Sequence, residues 1–253
     1  GTIIGIWGNH MPKKGKKKAE NEEEPDLGSR QYFNHQLINT MKGEKVTLRW
    51  YHQHSDAPHE PVTAAIDAKL RKGRCPYKFQ PPDGRTPEIV PMKVGARIRL
   101  TRCHDNDELK RLGLTTNAIG IVKGIIHRDA AVAGATHLNT YPPILLVKLN
   151  KWRGPNFGTY GEGVVPIAPK VWGRGCKIGK GAYDRVAVHV DLAFGMTAHS
   201  TQGSTMEEPY HIFVDSFFAA ISSLAIYVAL TRSPNPNTNV SISRPLRMED
   251  FKK

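Results

Sequence analysis

The pattern of apolar residues changes rhythm along this chain, and that change limits the possible folds more than any other feature. From Met92 the pattern is all-β. Ile98 and Leu100 alternate with Arg97, Arg99 and Thr101, and residues 119–126, 144–149 and 164–167 read as further strands separated by turn residues. A run of short strands of this kind suggests a small barrel. From residue 186 strand and helix alternate instead. Val186, Val188 and Val190 form a strand leading into residues 193–198, and residues 210–214 form another. Ser222 or Ser223 then caps a helix whose Leu224, Tyr227 and Val228 face a core, and residues 240–242 make a last strand. Such alternation predicts a parallel sheet.

The N-terminal third is less regular. Lys13, Lys14, Lys16, Lys17 and Lys18 are followed by Glu20, Glu22, Glu23, Glu24 and Asp26, so residues 1–29 are expected to be a charged linker or tail. Ser29 is placed to cap a helix in which Phe33, Leu37 and Met41 recur at i, i+4 and i+8, ending at Lys42-Gly43. Val46, Leu48 and Trp50 then read as a strand. Residues 52–87 are rich in Pro, His and Gly, with one helical stretch at residues 64–70. His52, His54 and His59 have no Cys or carboxylate at ligand spacing and are read as loop histidines rather than a metal site. Residues 150–184 are Gly-, Lys- and Arg-rich, which fits a basic loop near nucleic acid or a plain surface insertion.

A net charge of +13 over 253 residues points to a polyanionic partner, nucleic acid ahead of an acidic membrane surface. Cys75, Cys103 and Cys176 lie far apart, which suggests neither a disulfide framework nor a zinc site and fits a reducing compartment. The longest apolar run, residues 217–230, is too short to span a bilayer, and residues 2–7 lack the basic flank and length of a secretory signal. The expectation is a soluble, intracellular protein with no membrane partner: nuclear or mitochondrial in a eukaryote, cytoplasmic otherwise.

Two segments carry chemistry. TAHSTQGST (residues 197–205) offers hydroxyls, an amide and backbone N–H groups suited to phosphate oxygens. YVALTRS (residues 227–233) places Arg232, a fixed fork of charged donors, just after an apolar helix. In sequence, order and spacing the pair resembles motifs V and VI of superfamily 1B DNA helicases of the Pif-like and RecD-like branch. Met92-Lys93-Val94-Gly95-Ala96 is similar to that family's L-K-V-G-A, and residues 116–122 to its N-G-T-x-G-x-V. In the second, Thr116 stands for the asparagine and Asn117 for the glycine, and Asn117 is the next best residue for a left-handed turn. Asn34 and Gly43-Glu44 also occupy matching places.

The resemblance implies a RecA-like lobe, residues 30–91 and 186–253, with an SH3-like insertion at residues 92–185. It implies that Arg232 is the catalytic arginine finger and that Gln202 and Gly203 border the nucleotide. Thr197, His199, Ser200 and Thr201 are implied to face DNA, although Ser200 departs from the lysine usual in the Pif branch. The other half of the machine is missing. In residues 173–181, counting back from Gly179-Lys180 puts Arg174 where a P-loop needs its first glycine and Gly181 where it needs Ser or Thr. Asp107-Glu108 sits in the polar run HDNDELKR, where it reads as a solvated turn and not a Walker-B pair. The expectation is therefore the C-terminal half of a motor, which a start at Gly1 also fits. It would be inactive alone, with ATP and Mg²⁺ bound only in the intact helicase. Its partners would be single-stranded or forked DNA and the N-terminal ATPase lobe. The alternative is a degenerate stand-alone nucleic-acid-binding module without ATPase activity.

Overall fold

The structure, a computed structural model, describes residues 4–7, 29–58, 60, 62–71, 87–102, 106–127, 141–171, 176–178, 180–202, 206, 208–213, 223–243 and 245–246. The charge blocks of residues 9–28, His59, Cys75, Cys103 and residues 203–205 lie outside them. In chain order the first elements are β1 (Ile4–Trp7), α1 (Ser29–Thr40), β2 (Val46–Arg49), β3 (Tyr51–His54), α2 (Ala64–Arg71), β4 (Ile89–Met92) and β5 (Arg97–Leu100). Next come α3 (Asp107–Arg111), β6 (Ile119–Ile126), β7 (Ile144–Leu149), β8 (Val164–Ile167), β9 (Lys170–Val171), β10 (Cys176–Ile178) and β11 (Gly181–Ala187). The last are β12 (Val190–Leu192), β13 (Gly195–Thr197), α4 (Ala198–Thr201), β14 (Tyr210–Phe213), α5 (Ser223–Leu230), α6 (Pro236–Asn239) and β15 (Val240–Ile242). The chain divides into two compact units, residues 1–40 with 192–253 and residues 41–191.

The first unit is built on a four-stranded sheet of order β13-β1-β14-β15. Every pairing in it is parallel. Its central strand β1 corrects the reading of residues 1–29 as a linker or tail. Ile4 and Ile6 are buried, because strands inside a parallel sheet are covered on both faces. Four apolar residues beside some twenty charged and polar ones did not stand out as a strand. Helix α1 forms where Ser29 predicts it, but with a different buried row. Arg30, Asn34 and Ile38 are buried, while Phe33 and Leu37 are only half-buried and Met41 lies beyond the helix end. The inward face is rotated by one residue, which brings an asparagine rather than a leucine to its centre. Phe33 still meets the Phe213 ring of β14 at 6.0 Å. In α5, Ile226 and Ala229 are buried and Tyr227 is 60% exposed, so Tyr227 does not face the core.

The second unit contains a five-stranded sheet of order β12-β5-β6-β7-β8, antiparallel from β5 to β8, with β6, β7 and β8 at the expected residues. Strand β2 pairs antiparallel with β4, and β11 pairs antiparallel with β3, β9 and β10. Trp50, Met92, Ile98, Val122, Leu145 and Val147 are buried here. Three expectations change. Val186 lies in β11 against β3 and Val190 in β12 beside β5, so neither shares a sheet with β14 and the strand at residues 186–190 does not open the parallel sheet. A valine-rich run suits any strand buried on both faces, and open backbone edges decide its partner. Residues 150–184 are not simply loop, since they hold β9 and most of the β10–β11 hairpin. His52 and His54 lie on β3 rather than a loop: His52 Nδ1 is 2.8 Å from Asp67 Oδ1 in the interior, and His54 packs 4.8 Å from the Tyr183 ring.

Strand β5 is internal, so Arg97 and Arg99 are buried along with Ile98 and Leu100, which alternate with them. Arg99 donates through Nη1 to Asn117 Oδ1 at 3.0 Å, and its Nη2 lies 3.2 Å from Asp191 Oδ2. Asn117 has φ 66°, the left-handed turn conformation expected of it. Asp107 and Glu108 open the short exposed helix α3, capped by Asn106, with Asp107 Oδ1 2.6 Å from Lys110 Nζ.

Candidate nucleotide and nucleic-acid interface

Strand β13 delivers the first motif, and Asn34 fixes the chain where it enters that strand. Asn34 Nδ2 donates to the carbonyls of Leu192 and Gly195, each at 3.2 Å, and its Oδ1 accepts from the Gly195 N–H at 2.6 Å. The chain then passes from Thr197 into α4 through a reciprocal box. The Ser200 N–H donates to Thr197 Oγ1 at 3.3 Å, and the Thr197 N–H donates to Ser200 Oγ at 3.0 Å. Ser200 Oγ also donates to the Thr197 carbonyl at 2.8 Å, and Thr201 Oγ1 donates to the Ala198 carbonyl at 2.8 Å. Thr197, Ser200 and Thr201 are thus buried, with their hydroxyls spent on the shape of the turn. Gln202, the next residue, is exposed. The side chain of His199 and all of Gly203 lie outside the described residues.

The second motif closes α5. Thr231 Oγ1 donates to the Tyr227 carbonyl at 2.9 Å, and Arg232 Nε donates to the Val228 carbonyl at 2.8 Å. Arg232 Nη2 donates to Thr231 Oγ1 at 2.9 Å. These bonds satisfy carbonyls that a helix end leaves open and give the guanidinium a defined direction. Arg232 is half-buried, forms no ion pair among the described residues, and uses two of its five N–H donors there.

Two further contacts tie residues that follow the first segment to the second. The Met206 N–H donates to the Arg232 carbonyl at 2.8 Å, and Tyr210 Oη donates to the Ala229 carbonyl at 2.6 Å. Burial pushes the Tyr210 hydroxyl above its ordinary pKa, opposed by backbone hydrogen bonding at Ser233 and Arg232 and by the Arg232 charge. Helix α4, which follows the carboxyl end of β13, packs against α5. Thr197 closes the carboxyl end of β13, but the end of α5 is bonded to Tyr210, the first residue of β14. Met206, one residue past the first segment, binds the Arg232 carbonyl. Asn34, Met206 and Tyr210 hold this arrangement together, and of the three Asn34 alone had been singled out in the sequence.

Among the described residues no group of three His, Cys, Asp or Glu side chains is placed to hold a metal ion, and no helix is long and apolar enough to cross a membrane. No family model matches the sequence, and no curated protein matches it. Solved structures do. A Pif1 helicase from Candida albicans is 15% identical, with a TM-score of 0.56 over 100% of this chain and 47% of its own. A Bacteroides Pif1 helicase in complex with ADP-AlF3 and ssDNA is 15% identical, with a TM-score of 0.51 over 88% and 40%. An unliganded Pif1 from Bacteroides sp is 12% identical, with a TM-score of 0.51 over 99% and 43%. The chain spans less than half the length of these proteins. At such identities the likeness establishes architecture: this is a Pif1-like helicase fold, mixed α/β, whose parallel sheet matches a RecA-like helicase lobe.

Proposed function

We propose that this chain supplies the second RecA-like lobe of an ATP-dependent DNA helicase of the Pif type, with Arg232 as its arginine finger. The observation that carries the reading is the state of Arg232. It stands at the end of α5, held through Nε and Nη2, with no carboxylate partner among the described residues and donors to spare. Beyond the two bonds that hold it at the helix end, the guanidinium keeps its charge and further N–H donors for a ligand. Its fit is to the oxygens of a phosphoryl group, over which negative charge spreads during transfer. ATP with Mg²⁺ on a P-loop lobe would supply that group, and that lobe is the partner this reading requires. Gln202 and Gly203 would border the nucleotide.

Single-stranded or forked DNA would be the track. The hydroxyls of Thr197, Ser200 and Thr201 hold the turn, so of the four residues assigned to DNA direct side-chain contact falls to His199. The β-rich stretch from Met92 would be the SH3-like insertion, and the net charge of +13 would make binding steeply salt-dependent.

The test uses the chain joined to a P-loop lobe of a Pif-type helicase. There Arg232→Ala should lower DNA-stimulated ATP hydrolysis by about a thousandfold, the contribution of an arginine finger. Affinity for a thymidine oligonucleotide should stay within about threefold, because Arg232 is assigned to the nucleotide. Arg232→Lys should not restore turnover, since an ammonium keeps the charge but lacks the planar fork. Hydrolysis retained in Arg232→Ala would remove Arg232 from the mechanism.

A further inference from the structure

The unit of residues 41–191 contains a cavity of about 200 Å³ that plays no part in the site above. Leu100, Leu109, Leu114, Phe157, Val165 and Ile167 form most of its wall. Its polar lining is basic: Arg102, Lys170 and His189, with no carboxylate among the described residues. Arg102 is exposed and Lys170 half-buried, and neither has an ion-pair partner among the described residues. The wall is held from behind. Trp152 packs 5.9 Å from the Phe157 ring and donates its Nε1–H to the Pro155 carbonyl at 3.0 Å, while the Arg153 N–H donates to the Leu112 carbonyl at 2.9 Å.

Size and chemistry narrow the occupant. An apolar cavity of roughly 150 Å³ takes one benzene-sized group, so this one holds a single large side chain. A wholly apolar ligand would leave the cations unused. A nucleobase would bring several donors and acceptors on its edge against walls that mostly cannot pair with them, a penalty that stacking on one ring does not offset. An acidic peptide answers both features, with an apolar side chain in the cavity and flanking carboxylates on the basic groups.

We propose that this cavity is a docking site for an acidic linear segment of a partner protein, which inserts one phenylalanine- or leucine-sized side chain against Phe157 and sets its carboxylates on Arg102 and Lys170. The assignment rests on the cavity alone and stands whether or not Arg232 serves a helicase. Fluorescence anisotropy of the whole chain tests it with a labelled ten-residue probe of aspartates around one phenylalanine. Binding should be saturable, and a probe with alanine for the phenylalanine should bind about thirtyfold more weakly, the loss of one anchoring side chain. Arg102→Glu and Lys170→Glu, at residues that are not in the core, should each weaken the phenylalanine probe about tenfold while leaving the thermal melt unchanged. Equal binding of the two probes would reduce the interaction to bulk charge and overturn the proposal. So would absence of saturable binding in a chain that melts cooperatively. A thymidine oligonucleotide that binds with the same sensitivity to Arg102→Glu, and displaces the probe, would assign the site to nucleic acid instead.

Discussion

The amide of Asn34 meets the backbone at the entry to β13 with three hydrogen bonds, all in the interior. Replacing Asn34 with alanine leaves two buried carbonyls and one buried N–H without this partner and should cost about 2–4 kcal/mol in urea unfolding. Asn34→Asp should not rescue it, because an ionised carboxylate has no donor for the Leu192 and Gly195 carbonyls. A loss below about 1 kcal/mol in Asn34→Ala would mean that the connection is held by something else. Asn117 behaves differently. Its left-handed backbone was readable because few residue types tolerate it. Its second task, accepting a bond from the buried Arg99, depends on where β5 lies in its sheet and was not readable.

At the level of elements, the contact between α5 and β14 runs through Tyr210, whose hydroxyl binds the Ala229 carbonyl. Burial raises the pKa of this hydroxyl above the ordinary 10.0, with the backbone groups of Ser233 and Arg232 and the Arg232 charge pulling the other way. The folded state therefore holds the proton more tightly than the unfolded chain does. That contribution to stability is fully present below pH 10 and is lost as the pH rises through the folded-state value. Thermal melts between about pH 9 and 11 should show the wild type losing stability more steeply than Tyr210→Phe, which has no hydroxyl to ionise. Parallel slopes for the two proteins would show that Tyr210 does not couple the helix to pH. The same pair of elements shows what periodicity misses. The apolar stretch of α5 has hydrophobic residues on every side, so its pattern does not say that Ile226 and Ala229 turn inward while Tyr227 turns out.

Across the whole molecule, the two compact units should respond separately to damage. Ile6 is buried in β1, between β13 and β14. A carboxylate there has no partner and no water, so Ile6→Asp should disrupt the parallel sheet, an effect of about 4 kcal/mol or more. Hydrogen exchange should report lost protection in β13 and β14 and retained protection in β6 and β7. Equal loss in all four strands would show that the units unfold as one and that the division has no energetic meaning.

Taken alone, the sequence determined what is local. Helix α1 began at Ser29, β6, β7 and β8 fell where alternating apolar residues put them, and Asn117 took the turn its side chain permits, because propensity and period act over a few residues. The segments TAHSTQGST and YVALTRS stood out for the same reason, since each is a contiguous string. Pairing is not local. Tertiary structure alone decided that Ile4–Trp7 lies inside a sheet whose other strands come from the far end of the chain, and that the run from Val186 to Val190 pairs with β3 and β5 instead of that sheet. A buried strand reads alike wherever it lies, and its neighbours are set by which backbone edges remain open once the rest of the chain has packed. The box between Thr197 and Ser200 belongs to the same class. Its residue types announce hydroxyls, but whether those hydroxyls face a ligand or their own helix depends on the strand and the asparagine behind them.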